Sequence, residues 1–174
     1  PVDVVQNLST QAAGGEVVEA ANFNSPDQVV VAGHRSAVNR LVTLAKSSGA
    51  KRAIPLTVSV PSHCGLMKSA ADKFSRYLEN IPITLPNIPV VHNATVTQAK
   101  NPTEIVSLLV QQLHSPVRWV ETIRLLSRLG VTMFVEAGPG KVLTGLNKRI
   151  EKSLDCLVVC DPATLQSAME KTHA

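Results

Sequence analysis

The sequence predicts a mixed α/β chain in two parts, and three observations carry that prediction. Apolar stripes at helical spacing and short β-type runs share the whole length of the chain. Up to Val60 the order reads α-β-β-α-β, whereas from Pro61 onward helix and strand alternate, as in one side of a layered α/β domain. With 174 residues, 44% of them apolar, there is enough chain to bury a sizeable core.

In the first part, Val4, Val5, Leu8 and Ala12 fall on one face of a helix over Asp3–Ala13, which Gly14-Gly15 stop. Glu16–Phe23 and Gln28–Ala32 read as strands joined by the turn sequence Asn24-Ser25-Pro26-Asp27. Ser36–Ser48 is helical, with Val38, Leu41, Val42 and Ala45 inward and Gly49 as its stop. Lys51–Val60 is predicted as a strand, and Pro55 makes it an edge or bulged one. A ferredoxin-like unit, β-α-β-β-α-β, has this order plus one opening strand. That strand lies inside the sheet, so lacking it would leave two strands with unpaired edges and an exposed apolar strip. The expectation is a ferredoxin-like subdomain lacking its first strand, with residues preceding Pro1 in the natural protein. The alternative is a different small α+β fold that is complete as it stands.

In the second part, Ala70, Ala71, Phe74, Leu78 and Ile81 stripe a helix over Lys68–Asn80. A proline-rich connection leads to a short strand at Val90–His92. Pro102 starts a helix to about Leu113, and Pro116 another to about Leu129. Val131–Val135 reads as a buried parallel strand, and Gly138-Pro139-Gly140 turns it into a helix over Lys141–Lys152. Leu157–Val159 is a last strand and Pro162–Lys171 a last helix.

Composition excludes several function classes. No apolar run approaches membrane-spanning length, and no opening segment has a signal-peptide layout. The net charge of +4 comes from few acids, and with five aromatics and no Arg/Lys clusters nucleic acid is not a partner. Three cysteines make no disulfide framework, which favours a reducing compartment. Cys156 and Cys160 read as small buried apolar residues. None of the five histidines pairs with a His or Cys at metal-ligand spacing, so no metal site is expected.

Three motifs bear on chemistry. Gly33-His34-Arg35-Ser36 fails as a nucleophile elbow, because Ser36 lies three residues after the glycine and no second glycine follows; Ser36 fits a helix N-cap region instead. Gly138-Pro139-Gly140-Lys141 lacks the first glycine and the Ser/Thr of a phosphate loop, although the helix start after it favours an anion. Val58-Ser59-Val60-Pro61-Ser62-His63-Cys64-Gly65 holds a histidine in a short turn between strand and helix, where an imidazole is placed as a general base. A lone histidine there is more often structural or solvent-facing, and a Cys64–His63 pair is disfavoured because neighbours on a turn point apart.

Seven segments in order resemble one family: Asn22-Phe23-Asn24-Ser25-Pro26, Gln28-Val29-Val30-Val31-Ala32-Gly33, Ala50-Lys51-Arg52-Ala53, Val60-Pro61-Ser62-His63-Cys64, Gln111-Gln112-Leu113, Pro116-Val117-Arg118-Trp119 and Glu136-Ala137-Gly138-Pro139-Gly140-Lys141-Val142-Leu143. They look like the C-terminal part of bacterial malonyl-CoA:acyl-carrier-protein transacylases, across essentially the whole chain. The resemblance implies part of an α/β-hydrolase-like acyltransferase domain with an inserted ferredoxin-like subdomain, here residues 59–174 and 1–58. It implies ping-pong transfer of malonyl from malonyl-CoA, through a serine ester, to the phosphopantetheine thiol of acyl carrier protein. Such a protein works in cytoplasmic fatty-acid synthesis with no cofactor beyond the CoA thioester substrate. His63 matches the family's catalytic base, and Gln112 the residue whose main-chain carbonyl orients it. Asn22, Asn24, Lys51 and Arg52 match CoA-contacting positions. The family's Gly-His-Ser-Leu-Gly nucleophile motif, its Gly-Gln-Gly oxyanion segment and its malonyl-binding arginine have no match, which implies a missing N-terminal segment. Without the nucleophile the chain alone is expected to be inactive. Two other classes stay open: a stand-alone CoA or carrier-protein binding module, and a cysteine enzyme using Cys64 with His63.

Overall fold

The computed structural model describes residues 2–172, and the chain divides after Trp119 into two compact units. The first unit opens with α1 (Val2–Ala13), which ends where Gly14 and Gly15 take positive φ values of 54° and 84°. That left-handed backbone is cheap for glycine and closes the helix. Arg40 completes the stop: its Nε donates to the Ala12 carbonyl at 2.8 Å and its Nη2 to that of Ala13 at 2.7 Å. The same guanidinium pairs with Glu16 at 2.9 Å. The Ser36 hydroxyl, donating to Glu16 at 2.6 Å, and Arg40 hold the Glu16 carboxyl below its usual range. Ser36 therefore does not cap the helix it stands in; His34 occupies the cap position and helix α2 (Arg35–Ser47) begins one residue earlier than expected.

Strands β1 (Val18–Ser25) and β2 (Gln28–Gly33) form an antiparallel hairpin from Val18↔Gly33 to Ser25↔Gln28. Buried Ser25 donates to Asp27 at 2.6 Å and holds the turn. Gly33 is required where it stands, since a Cβ there would lie 2.1 Å from the Val17 carbonyl oxygen. Helices α1 and α2 pack on each other and on the hairpin around Leu8, Ala12, Val18, Ala37 and Leu41. Burial of Leu8 and Leu41, 8% and 5% exposed, contributes about 2 kcal/mol each.

Beyond α2 the expected strand Lys51–Val60 does not form: no ladder bond is made among the described residues, and Ile54 to Val60 are all exposed. A β-strand exists only through a neighbour, and the alternating pattern alone cannot supply one. After one turn of 3₁₀ helix at Gly65–Met67 comes α3 (Lys68–Leu78), which packs on α4 (Pro102–Gln111). The start of α4 is capped by two reciprocal side-chain bonds, one of them reaching the residue before the N-cap. The Asn101 side chain accepts from Glu104 N–H at 2.8 Å, and Glu104 accepts from Lys100 N–H at 2.7 Å, with Pro102 opening the helix. The strand expected at Val90–His92 reduces to a single bridge, His92↔Thr97, because the prolines around it remove ladder donors.

The helix expected from Pro116 starts only at Trp119, as α5 (Trp119–Arg128), because the residues before it are drawn into β pairing. Val117 bridges Asn22 in parallel, exchanging bonds with Ala21 O at 2.8 Å and Phe23 N at 2.9 Å.

The second unit carries a β-α-β element. Strands β3 (Met133–Ala137) and β4 (Asp155–Val159) pair in parallel from Met133↔Asp155 to Ala137↔Val159, joined by α6 (Val142–Ile150). Helix α6 contacts both strands, and α7 (Pro162–Thr172) packs on β4. The parallel arrangement follows the sequence, but the expected full burial does not: Val135 is 46% exposed, since helices among the described residues of this unit leave part of the two-stranded sheet open. Cys156 is half-buried and Cys160 exposed, so the reading of both as core residues fails for Cys160, which lies past the strand end.

Candidate active site

His63 sits between the extended segment and α3 with φ at 64°, a left-handed conformation that costs a non-glycine residue about 1–2 kcal/mol. Bonds on either side over-determine it. Buried Cys64 donates its thiol to the Pro61 carbonyl at 3.2 Å, Gly65 N–H donates to the Glu19 carboxylate of β1 at 2.8 Å, and Met67 N–H returns to the Cys64 carbonyl at 3.0 Å. The turn is thus pinned both to itself and to the hairpin.

The ring is held by the end of α4. The two carbonyls that follow α4, that of its C-cap Gln112 and that of Leu113, are both taken by one residue. His63 N–H donates to the Leu113 carbonyl at 3.0 Å, and His63 Nδ1 lies 2.7 Å from the Gln112 carbonyl oxygen. A carbonyl oxygen only accepts, so Nδ1 carries the hydrogen, and the neutral ring keeps its lone pair on Nε2. Nε2 has no partner among the described residues. The negative end of the α4 dipole faces the ring, complementary to positive charge on it.

Cys64, beside the histidine, is fully buried, and burial pushes its thiol up, with Glu19 adding to the shift against a bond from the Leu66 main chain. A buried thiol held protonated against a carbonyl is a poor nucleophile, which removes support for a cysteine enzyme.

Asn22 and Asn24 lie half-buried on β1, three and five residues beyond the Glu19 that grips the histidine turn, and their side-chain amides have no hydrogen-bond partner among the described residues. Lys51 and Arg52 follow α2, exposed and without an ion pair among the described residues. The structure brings His63 and Gln112 into contact and ties β1 to their turn; no hydrogen bond joins Lys51 or Arg52 to His63 among the described residues. Glu19 and Leu113 escaped the sequence reading. Leu113 acts through its main chain, which leaves no side-chain signature, and Glu19 has the look of any solvated strand acid.

The start of α6 corrects another expectation. Glu136, on β3, turns its carboxylate onto this helix start, accepting from Leu143 N–H at 3.0 Å and Thr144 N–H at 2.7 Å. Slight burial raises its carboxyl, but the bonds from Thr144 and Leu143 outweigh that and hold it below its usual range. The helix start is taken by the protein's own anion and is not open to a phosphate. No cluster of metal-ligating side chains occurs among the described residues, and no helix among them is long and apolar enough to cross a membrane.

Fold and site together define a mixed α/β protein presenting a histidine oriented by main-chain carbonyls. The chain belongs to the acyl transferase domain family, whose model matches residues 4–171. It is 51% identical over 168 residues to a malonyl CoA-acyl carrier protein transacylase of Haemophilus influenzae, covering 97% of this chain and 54% of that protein. The Escherichia coli K12 protein of the same name is 48% identical over 160 residues, with 92% of this chain and 52% of that one covered. Among solved structures, an acyl carrier protein S-malonyltransferase from Vibrio cholerae superposes with a TM-score of 0.94 at 48% identity, covering 96% of this chain and 55% of that one. A malonyl-transacylase in complex with a type II PKS acyl-carrier protein gives 0.96 at 47%, covering 97% and 55%. The chain spans about half the length of the relatives it matches.

Proposed function

We propose that this chain is the base-bearing part of a malonyl-CoA:acyl-carrier-protein transacylase of fatty-acid synthesis, acting in the cytoplasm. The observation that carries the reading is the 2.7 Å contact between His63 Nδ1 and the Gln112 carbonyl, which leaves Nε2 as a poised base. In the proposed reaction Nε2 takes the proton of a serine hydroxyl as its oxygen attacks the thioester carbon of malonyl-CoA. The tetrahedral intermediate collapses, the C–S bond breaks, and the imidazolium returns the proton to the departing CoA thiolate. In the second half Nε2 takes the proton of the carrier protein's phosphopantetheine thiol. The thiolate displaces the serine oxygen from the malonyl ester, and that oxygen recovers the proton. The Gln112 carbonyl orients the ring through both halves, stabilising imidazolium less than a carboxylate would.

Asn22, Asn24, Lys51 and Arg52 are assigned to CoA, the amides to its adenine and ribose and the cations to its phosphates. The lack of partners for these groups among the described residues supports that assignment. No Gly-x-Ser-x-Gly motif occurs in the sequence, so the serine is proposed to come from an N-terminal segment of the same protein. In this reading residues 1–58 belong to a ferredoxin-like subdomain and residues 59–174 to an α/β-hydrolase-like one. The missing motif also favours a second reading, a module that binds CoA or carrier protein without chemistry.

The test is His63→Ala in the full-length protein, read as serine labelling by radioactive malonyl-CoA. The expected loss is about a thousandfold or more. Equal labelling of variant and parent would refute the assigned base, and a full-length protein with no serine to label would favour the binding module.

A further inference from the structure

The turn that presents His63 is gripped from two sides. On one side the carbonyls of Leu113 and Gln112 take its amide at 3.0 Å and its Nδ1 at 2.7 Å. On the other, two residues further on, Gly65 N–H donates to the Glu19 carboxylate at 2.8 Å. The bonds from Cys64 to Pro61 and from Met67 to Cys64 close the turn on itself and travel with it. Glu19 therefore holds the turn from outside, at a point just beyond the left-handed His63 backbone with its φ of 64°. A residue in that conformation keeps it only while its surroundings over-determine it.

Glu19 serves as an anchor because its own backbone is fixed. It pairs with Ala32 in the hairpin and follows Val18, which is buried in the core. Its carboxylate lies close over residue 65, where a Cβ would stand 3.3 Å from Oε1. Strand β1 is bonded in turn to the stretch after α4, through Ala21 O and Phe23 N–H on Val117. Hairpin, histidine turn and residues 112–117 thus form a closed ring of bonds. The Val117 bonds are main-chain and hold β1 whatever stands at position 19. The Glu19 link is a side chain, so substitution there opens the ring at the histidine turn alone.

We propose that Glu19 is a positioning residue for the base, holding the turn through its acceptor oxygen so that the imidazole keeps its bond to Gln112. That His63 is the base rests on the function proposed above. The acceptor, rather than the charge, carries the role because Glu19 is exposed. Water around an exposed carboxylate weakens its field at the ring, whereas a hydrogen bond acts at contact and fixes direction.

Three variants of the full-length protein separate these roles. Glu19→Ala removes the acceptor, Glu19→Asp keeps the charge but shortens the reach, and Glu19→Gln keeps reach and an acceptor oxygen without the charge. Ala and Asp are expected to lower serine acylation at saturating malonyl-CoA about tenfold, from a loosened base. Affinity for malonyl-CoA should stay within about twofold, because β1 remains held at Val117. Glu19→Gln is expected to stay within about threefold of the parent. Heteronuclear NMR of the His63 ring nitrogens gives a readout independent of activity. Parent and Glu19→Gln should show the Nδ1–H tautomer, and Ala and Asp the averaged signals of both tautomers. If Glu19→Ala does not fold, the Asp and Gln pair decides. Parent-like acylation with Asp, loss with Gln but not with Asp, or an unchanged His63 tautomer without the acceptor would each overturn the proposal. The base assignment fails separately: equal acylation by His63→Ala, with a tautomer that still follows residue 19, sinks the transferase reading and leaves the anchored turn standing.

Discussion

At His63 a strained backbone and a fixed tautomer have the same origin. The turn 61–67 is fastened at Pro61, Gly65 and Met67, and the carbonyls of Leu113 and Gln112, just past α4, claim the amide and Nδ1 of the histidine. The orienting group is a main-chain atom, so the identity of residue 112 matters little. Gln112→Ala in the full-length protein is expected to change serine acylation by less than about threefold, whereas His63→Ala loses about a thousandfold. A large loss on Gln112→Ala would mean that the side chain, not the carbonyl, does the orienting. His63, Gln112, Asn22, Asn24, Lys51 and Arg52 could be picked out as candidates in the sequence because their segments occur together and in order. Glu19 and Leu113 could not, since a lone carboxylate on a strand and a main-chain oxygen look alike in thousands of sequences.

At the scale of elements, helices came through with their ends displaced by a few residues and strands did not come through uniformly. Helix α4 carries its start in its own local residues, Asn101, Pro102 and Glu104, so local chemistry is enough to find where it begins. Lys51–Val60 has the alternation of a strand but no neighbour among the described residues, and Pro116–Arg118 was drawn from helix into pairing by β1, a partner about a hundred residues away in sequence. Helix α6 has the reverse arrangement to α4, with its start held by a residue on the preceding strand. Glu136→Ala is expected to destabilise the protein by about 1 kcal/mol at neutral pH, measured by denaturant unfolding. The carboxyl is held below its usual value, so this contribution is fully present above the ordinary titration near pH 4.5 and is lost as pH falls through the lowered folded value. The stability difference between parent and variant should therefore be constant from pH 7 to about 5 and shrink in more acid solution. A difference that grows on acidification would exclude the carboxylate as the cap.

At the scale of the whole molecule the base and the nucleophile are proposed to reside on different stretches of polypeptide. The 174-residue chain alone is therefore expected to form no malonyl-enzyme and to transfer no malonyl to carrier protein in a gel-shift assay of the acylated carrier. Transfer by the purified chain would require a nucleophile within it and overturn that reading. The sequence by itself determined the helices, the hairpin, the family and the order in which its marked residues occur, because periodicity, caps and local motifs are properties of neighbouring residues. Only the tertiary structure decided which nitrogen of His63 bears the hydrogen, that Glu19 fastens its turn to β1, that Glu136 closes the start of α6, and that Ile54–Val60 joins no strand ladder among the described residues. Each of these depends on groups far apart in sequence meeting, or failing to meet, within hydrogen-bond distance, and no pattern within a single segment encodes that.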